Sequence, residues 1–284
     1  SCSILSSLLA ENCQPLGMSM YLNIINYWIR MEIDTTLWVL TALAGFVAGL
    51  IDSIVGGGGL VLTPAMLNLH PSLSILQTIA TQRTSSILGT SVAAWNYLRN
   101  IRIERHIILP ACIAALCASA IGVQFAKKMD PDILKWIVLS ICVVLALYTA
   151  LRKDLGLKEE RRFHPKHETI AAMSIGAATG FYNGLIGPGT GTIMVFAFVS
   201  FMGLDFLKSS AVSKAANVSA DLSSWTVLFI SGFVYWVLAI PLIIGNVLGS
   251  YIGSHMAIRK GQAFVRAIFL IIVLALIARQ AWQL

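Results

Sequence analysis

The chain has 284 residues, of which 57% are hydrophobic and only 12% charged, against about 25% charge in an average soluble domain, so a protein dissolved in water is excluded. The formal net charge is +7, but the basic residues lie mostly in short connections between apolar stretches, where they set topology and attract the anionic headgroups of membrane lipid. That placement excludes nucleic acid as a partner, and the isolated cysteines Cys112, Cys117 and Cys142, set singly inside apolar runs, exclude a disulfide framework and a thiolate metal site.

Residues 1–35 form a separate N-terminal segment, of which 1–30 resemble nothing later in the chain. Their apolar part, Met20 to Ile29, is too short and polar to cross a bilayer, and the segment is expected on the extracytoplasmic side. From Thr36 onward apolar segments follow one another at 36–55, 59–69, 77–98, 107–126 and 133–151. After a charged cytoplasmic connector at 152–168 they resume at 169–186, 190–204, 207–229, 234–257 and 264–282. A spanning helix needs about 20 largely apolar residues. The expected fold is therefore an all-α, multi-pass integral membrane protein with one membrane repeat at 36–151 and a second at 169–284. The second segment of each half is short and follows a glycine-rich break, as discontinuous helices do. The first two segments of each half read equally as full spans or as a re-entrant pair.

The halves match each other. Gly45-Phe46 with Gly49-Leu50-Ile51 recurs as Gly180-Phe181 with Gly184-Leu185-Ile186, and Gly56 to Gly59 falls on Gly187-Pro188-Gly189-Thr190, with Asp52 to Val55 left without a counterpart. One constant shift then carries Ala80 onto Ala211, Arg83 onto Lys214, Pro110 onto Pro241 and Lys128 onto Arg259. Five segments per half is an odd number, which inverts the second half. Placing the loops at 99–105, 152–166, 208 and 259–266 in the cytoplasm collects 13 Lys and Arg there, against 5 outside (Arg30, Lys127, Lys128, Lys135 and Arg279), as the positive-inside rule requires. Both termini are then extracytoplasmic, and the membrane is a cell inner membrane or plasma membrane.

Gly56, Gly57, Gly58 and Gly59 precede a short helix, so unpaired backbone N–H groups and the positive helix end face the break and suit an anion. Gly187, Gly189 and Thr190 repeat the arrangement from the other side. The same glycines would also allow close helix crossing without any ligand. Arg83 and Lys214 occupy equivalent intramembrane positions, where an isolated cation is costly. Thr81 and Gln82 lie beside the first, Ser213 and Asn217 beside the second, and all are expected to line a substrate site. The alternative is that the two cations snorkel, or pair with Asp52 and Asp221. Those two acids are candidates for proton coupling or for charge pairing. Paired catalytic carboxylates and metal-ligand clusters are missing at membrane depth, and Gly56 to Gly59 lacks the lysine that follows a phosphate-binding loop. Neither a catalytic residue, a metal nor a cofactor is expected. A membrane-embedded enzyme or a scaffold subunit without transport activity is the alternative, and the scaffold reading leaves the intramembrane cations without a role.

The residues Gly45-Phe46 through Gly49-Leu50-Ile51-Asp52-Ser53-Ile54-Val55-Gly56-Gly57-Gly58-Gly59-Leu60, Pro64-Ala65 and Ala80-Thr81-Gln82-Arg83, with Gly180 through Gly191 and Ala211 through Asn217, resemble the TauE/SafE group of membrane permeases. The resemblance runs from about residue 36 to the end. It implies a permease, an exporter or importer of sulfite, sulfonates and related anions, so that the expected partner is a small inorganic or organic sulfur oxyanion. Where that family usually has Thr-Asn-Lys, this chain has Thr81-Gln82-Arg83, which keeps the charge but replaces a compact ammonium by a planar fork.

Overall fold

A computed structural model describes residues 35–126, 159, 161 and 164–271. The chain divides into a unit of residues 1–38, of which only 35–38 are described, and a unit of residues 39–284, which carries everything below. The expected fifth segment of the first half, 133–151, lies outside the described residues, as does the second half's fifth segment beyond residue 271.

All described elements are helical. They are α1 (Thr35–Val55), α2 (Gly58–Leu69), α3 (Ile75–Asn100), α4 (Arg105–Ala126), α5 (Pro165–Leu185), α6 (Thr190–Ala197, continued by a π turn Phe198–Met202), α7 (Phe206–Ile230), α8 (Trp236–Lys260) and α9 (Gln262–Ile271). Three of them, α1, α4 and α8, are long and apolar enough to cross a membrane, with mean hydropathy 1.9, 2.1 and 1.7. Their outer faces carry exposed apolar side chains at helical spacing, such as Leu109, Ile113 and Leu116 on α4, which suits contact with lipid. Helices α3, α5 and α7 are equally long but less apolar, because their polar side chains point inward. In α7 the buried set includes Ser210, Lys214, Asn217, Asp221 and Ser224, residues three or four apart on one face. Ser74 caps α3 in a reciprocal capping box with Gln77, and Asp205 caps α7 by accepting from the Lys208 N–H.

Packing exchanges helices between the halves. Gly45 and Gly49 of α1 lie against the backbone of Leu242 and Asn246 in α8, so closely that a Cβ would come within 2.8 and 2.3 Å of it. Gly176 and Gly180 of α5 lie in the same way on Ala111 and Ala115 of α4. The first helix of each half therefore packs on the fourth helix of the other, through glycine contacts that admit no side chain. Two bundles result. In one, α3 joins α1 and α8: the Tyr97 hydroxyl donates to Ser53 O (3.0 Å), and the Asn96 amide donates to Ser254 Oγ (2.9 Å). In the other, α7 joins α4 and α5, with the Ser119 hydroxyl donating to Ala220 O (2.8 Å) and the Asn183 amide to Asn217 Oδ1 (3.0 Å).

The bundles meet where α3 crosses α7. Along that contact Thr84 meets Trp225, Ser86 meets Asp221 and Tyr97 meets Ser210. The numbers rise on one helix as they fall on the other, so the two equivalent helices run antiparallel. An apolar cluster of Ile54, Tyr97, Val199, Phe206 and Phe269 closes the side to which the loop at 101–104 and the start of α7 belong.

These contacts correct the sequence register. Residues 45 and 176, 49 and 180, and their partners 111 and 242, 115 and 246, are each 131 positions apart. The helix starts at 75 and 206, and at 105 and 236, keep the same interval. The halves thus align from α1 onward without an insertion: Gly45 is equivalent to Gly176 rather than Gly180, and Asp52 stands at the position of Asn183. Glycines at 176, 180 and 184 recur every four residues, so a sequence alignment slips along them by about one helical turn at little cost in matches.

Candidate functional site

The two helix breaks meet backbone to backbone. A Cβ on Gly56 would fall 2.3 Å from the carbonyl carbon of Gly191, and one on Gly191 would fall 2.6 Å from Gly56 Cα. Gly56 and its equivalent Gly187 both have positive φ, 94° and 88°, and Gly189 follows with 86°. Only glycine takes that backbone region without strain, so the tight exit from each first helix depends on it.

Around this crossing lies a pocket with 17 lining residues, six of them glycine (Gly56, Gly58, Gly59, Gly187, Gly189 and Gly191). Backbone is therefore exposed along part of its wall, and most of the other lining residues carry polar or charged side chains. Gln82, Arg83, Asn217, Thr190, Asp52 and Asp221, all expected from the sequence, also line it. Four expected residues do not. Gly57 precedes α2 as its N-cap. The Thr81 hydroxyl accepts from the Tyr235 N–H at 3.0 Å. Ser213 and Lys214 have no exposed surface and do not line the pocket, although the Lys214 ammonium sits directly behind its Asp52 wall.

The two equivalent cations do the same structural job at different electrostatic settings. Each reaches from the third helix of one bundle to the last turn of the first helix in the other. Arg83 Nη2 donates to Asn183 O, and Lys214 Nζ donates to Asp52 O. Lys214 also forms an ion pair with the Asp52 carboxylate at 3.0 Å. That carboxylate further accepts from the Gly58 N–H (3.3 Å) and the Thr90 hydroxyl (3.1 Å). Asp52 therefore occupies the positive end of α2, the place the sequence reading kept for a substrate anion, and it holds Lys214 in a closed pair. In the second half the equivalent of Asp52 is the neutral Asn183, whose side-chain amide donates to Asn217 and to Asp221 Oδ1 at 2.9 Å. No carboxylate stands at the start of α6 in that position. Arg83 is 4% exposed, and among the described residues its Nη1 has no hydrogen-bond partner. A Cβ on Gly187 would come within 2.7 Å of Arg83 Nη2, so the guanidinium lies directly against the second break.

Asn183 and Asn246 line the pocket without having been singled out as site residues. A constant interval of 131 would have exposed Asn183, because it is the residue facing Asp52 in the duplication. Gln82 is held by the Thr63 hydroxyl, which donates to Oε1 at 3.0 Å. Among the described residues no group of three or more His, Cys, Asp and Glu side chains could hold a metal ion.

Away from the pocket, the connector ties down one end of the second bundle. Arg161 bridges Glu104, Glu159 and Glu168, Lys208 pairs with Glu159 at 2.6 Å, and His106 pairs with Glu168 at 2.8 Å. Partial burial acts to raise the Glu104 and Glu159 carboxyls, but hydrogen bonds from Arg161 and Lys208 outweigh it and leave both below the ordinary glutamate value.

The family model for sulfite exporter TauE/SafE matches residues 41–279. A "probable membrane transporter protein ORF9" of Sinorhizobium sp. is 31% identical over 238 residues, covering 84% of this chain and 89% of that protein. A "probable membrane transporter protein" of Haemophilus influenzae is 28% identical, covering 89% of this chain and 98% of its own. "Probable membrane transporter protein YfcA" of Escherichia coli K12 is 28% identical, covering 79% and 82%. No solved structure matches the chain.

Proposed function

The chain belongs to the sulfite exporter TauE/SafE family of membrane transporters, and from that premise we propose that it is a secondary permease for a small sulfur oxyanion, sulfite or an organosulfonate. One observation carries the reading: Arg83, buried against a glycine-rich pocket where two helix breaks cross, keeps Nη1 without a hydrogen-bond partner among the described residues. An isolated guanidinium at that depth is costly, and an oxyanion sharing its fork would satisfy it through charge-assisted bonds. The anion rests on Arg83 and on the backbone of the break at Gly187 to Gly191, with Thr190, Gln82 and Asn217 at its sides. Gly56 and Gly59 form the opposite wall.

Transport proceeds by alternating access. The bodies that move are the two exchanged bundles, rather than the two sequence halves, because the glycine contacts of α1 on α8 and of α5 on α4 leave no slack within a bundle. The bridges from Arg83 and Lys214 cross between bundles at the pocket and lie near the pivot. Antiparallel packing of the equivalent helices α3 and α7 supports a pseudo-twofold axis perpendicular to them, hence in the membrane plane and an inverted repeat. The 13 to 5 distribution of basic residues supports extracytoplasmic termini.

The test is uptake by vesicles reconstituted with the purified chain, screened over sulfite, sulfate, thiosulfate and small organosulfonates. Saturable uptake of sulfite or a sulfonate is expected. Rates equal to protein-free vesicles for every anion would sink the reading.

A further inference from the structure

We infer that Asp221 is the proton-carrying group of the site, so that one singly charged oxyanion and one proton on the Asp221 carboxyl cross together. The inference rests on the reading of Arg83 as the anion's partner and adds the coupling ion and the charge of the substrate.

Four buried charges stand at the pocket, and they are not equivalent. Asp52 and Lys214 touch at 3.0 Å and neutralise each other. Protonating Asp52 would strand a lysine that has no exposed surface. Asp221 has no cation within ion-pair distance among the described residues. Its two oxygens accept from neutral donors, the Asn183 amide at 2.9 Å and the Ser86 hydroxyl at 3.1 Å. The charged groups facing it are Arg83 from α3, acting through space, and Asp52 from α1, a like charge; Lys214 lies two turns away on α7 itself, closed onto Asp52. On α4, Cys112 lies near Ser219, on another face of α7, and α6 has no titratable side chain. Asp221 also lines the pocket, as Arg83 does.

Charge balance then selects the state that binds. With all four groups ionised the site is neutral, and an anion on Arg83 would bring an uncompensated negative charge beside the Asp221 carboxylate in low-dielectric surroundings. With Asp221 protonated the site carries +1, and one negative charge restores neutrality. The protonated carboxyl also gains an O–H donor that the carboxylate lacks, and an oxygen of the anion accepts it. When the bundles rock, the anion leaves and the proton leaves with it, so the cycle moves no net charge. The substrate class that fits is a monoanion such as a sulfonate or hydrogensulfite; a dianion would leave the occupied site at −1.

The test uses vesicles containing the full chain and a trapped pH indicator, with methanesulfonate as probe because it stays singly charged at every pH used. Wild-type protein is expected to acidify the lumen as the probe enters. A gradient of two pH units, acid outside, should drive accumulation toward about a hundredfold, tenfold per unit. In Asp221→Asn the ratio of uptake with and without the gradient should fall to about one, while Asp221→Glu keeps a gradient response. Wild-type uptake without lumenal acidification, or with build-up of a membrane potential, overturns the inference alone. So does an Asp221→Asn protein that still follows the gradient. Absence of any methanesulfonate or sulfite uptake by wild type overturns the transport reading and this inference with it. If Asp221→Asn fails to reach the membrane, the wild-type indicator trace decides by itself.

Discussion

The break after α1 and the break after α5 share one backbone design and opposite electrostatics. Both leave their helix through a left-handed glycine, Gly56 or Gly187, and both receive a bond from a cation of the other bundle. The first break is filled by its own carboxylate, Asp52, which neutralises Lys214 and caps α2. At the second break an amide, Asn183, stands in that place, and the guanidinium beside it keeps a nitrogen without a hydrogen-bond partner among the described residues. In the proposed reading, the difference between Asp and Asn at one equivalent position separates a closed ion pair from the place left for an anion.

The comparison breaks most severely at the glycines. Both positions are left-handed, so an added methyl is strained at either; at Gly56 it also meets the backbone of Gly191 at 2.3 Å, whereas at Gly187 the nearest atom is the end of the Arg83 side chain, at 2.7 Å. Gly56→Ala is expected to abolish folded protein in the membrane, and Gly187→Ala to leave folded protein with weakened sulfite binding. Fluorescence-detected size exclusion of the two variants checks this, and equal yields would dissolve the distinction.

Lys214→Ala comes next. It strands Asp52 and is expected to cost about 3–5 kcal/mol, the usual penalty for breaking a buried ion pair. Asp52→Ala with Lys214→Ala together should recover part of that loss, as thermal unfolding of the purified variants would register. Gly232→Ala lies far below: φ is 75° but nothing lies within 4 Å of the added methyl, so about 1–2 kcal/mol of backbone strain is the whole effect.

Smallest is the connector. Glu104 and Glu159 have carboxyls held below their ordinary value, so their contribution is present above about pH 4.5 and is lost as pH falls through the lowered folded values. Arg161→Gln should flatten that acid-side loss, and it should change stability at neutral pH by less than about 1 kcal/mol, because these groups are partly exposed and screened. A melting series between pH 7 and pH 4 measures both.

Much of this was legible in the sequence. The helix starts, the short second helices, the equivalence of Arg83 with Lys214 and the polar face of α7 all follow from apolar length and three-to-four spacing. The site's asymmetry was not. Glycines every four residues let the alignment slip by one turn, which matched Asn183 with Ala48 and left Asp52 without a partner. Lys214 and Arg83 then looked interchangeable, since what separates them is the residue each meets across the bundles, a contact that no local pattern records. Thr81 and Ser213 were drawn in by nearness to the cations in sequence, but Thr81, two positions from Arg83, points to the far side of α3, and Ser213 stands beside a lysine that itself lies behind the pocket wall.

The most direct measurement is sulfite affinity of purified Arg83→Gln and Lys214→Gln proteins whose melting temperatures are known. A glutamine at 83 keeps a donor for Asn183 O and removes the charge. A charge-assisted bond to an anion is worth about 1.5–3 kcal/mol, so affinity should fall by tens-fold or more while the fold stays near wild-type stability. Lys214→Gln should do the reverse, with a lowered melting temperature and sulfite affinity close to wild type in whatever protein remains folded. Wild-type affinity in a stable Arg83→Gln protein would contradict the account.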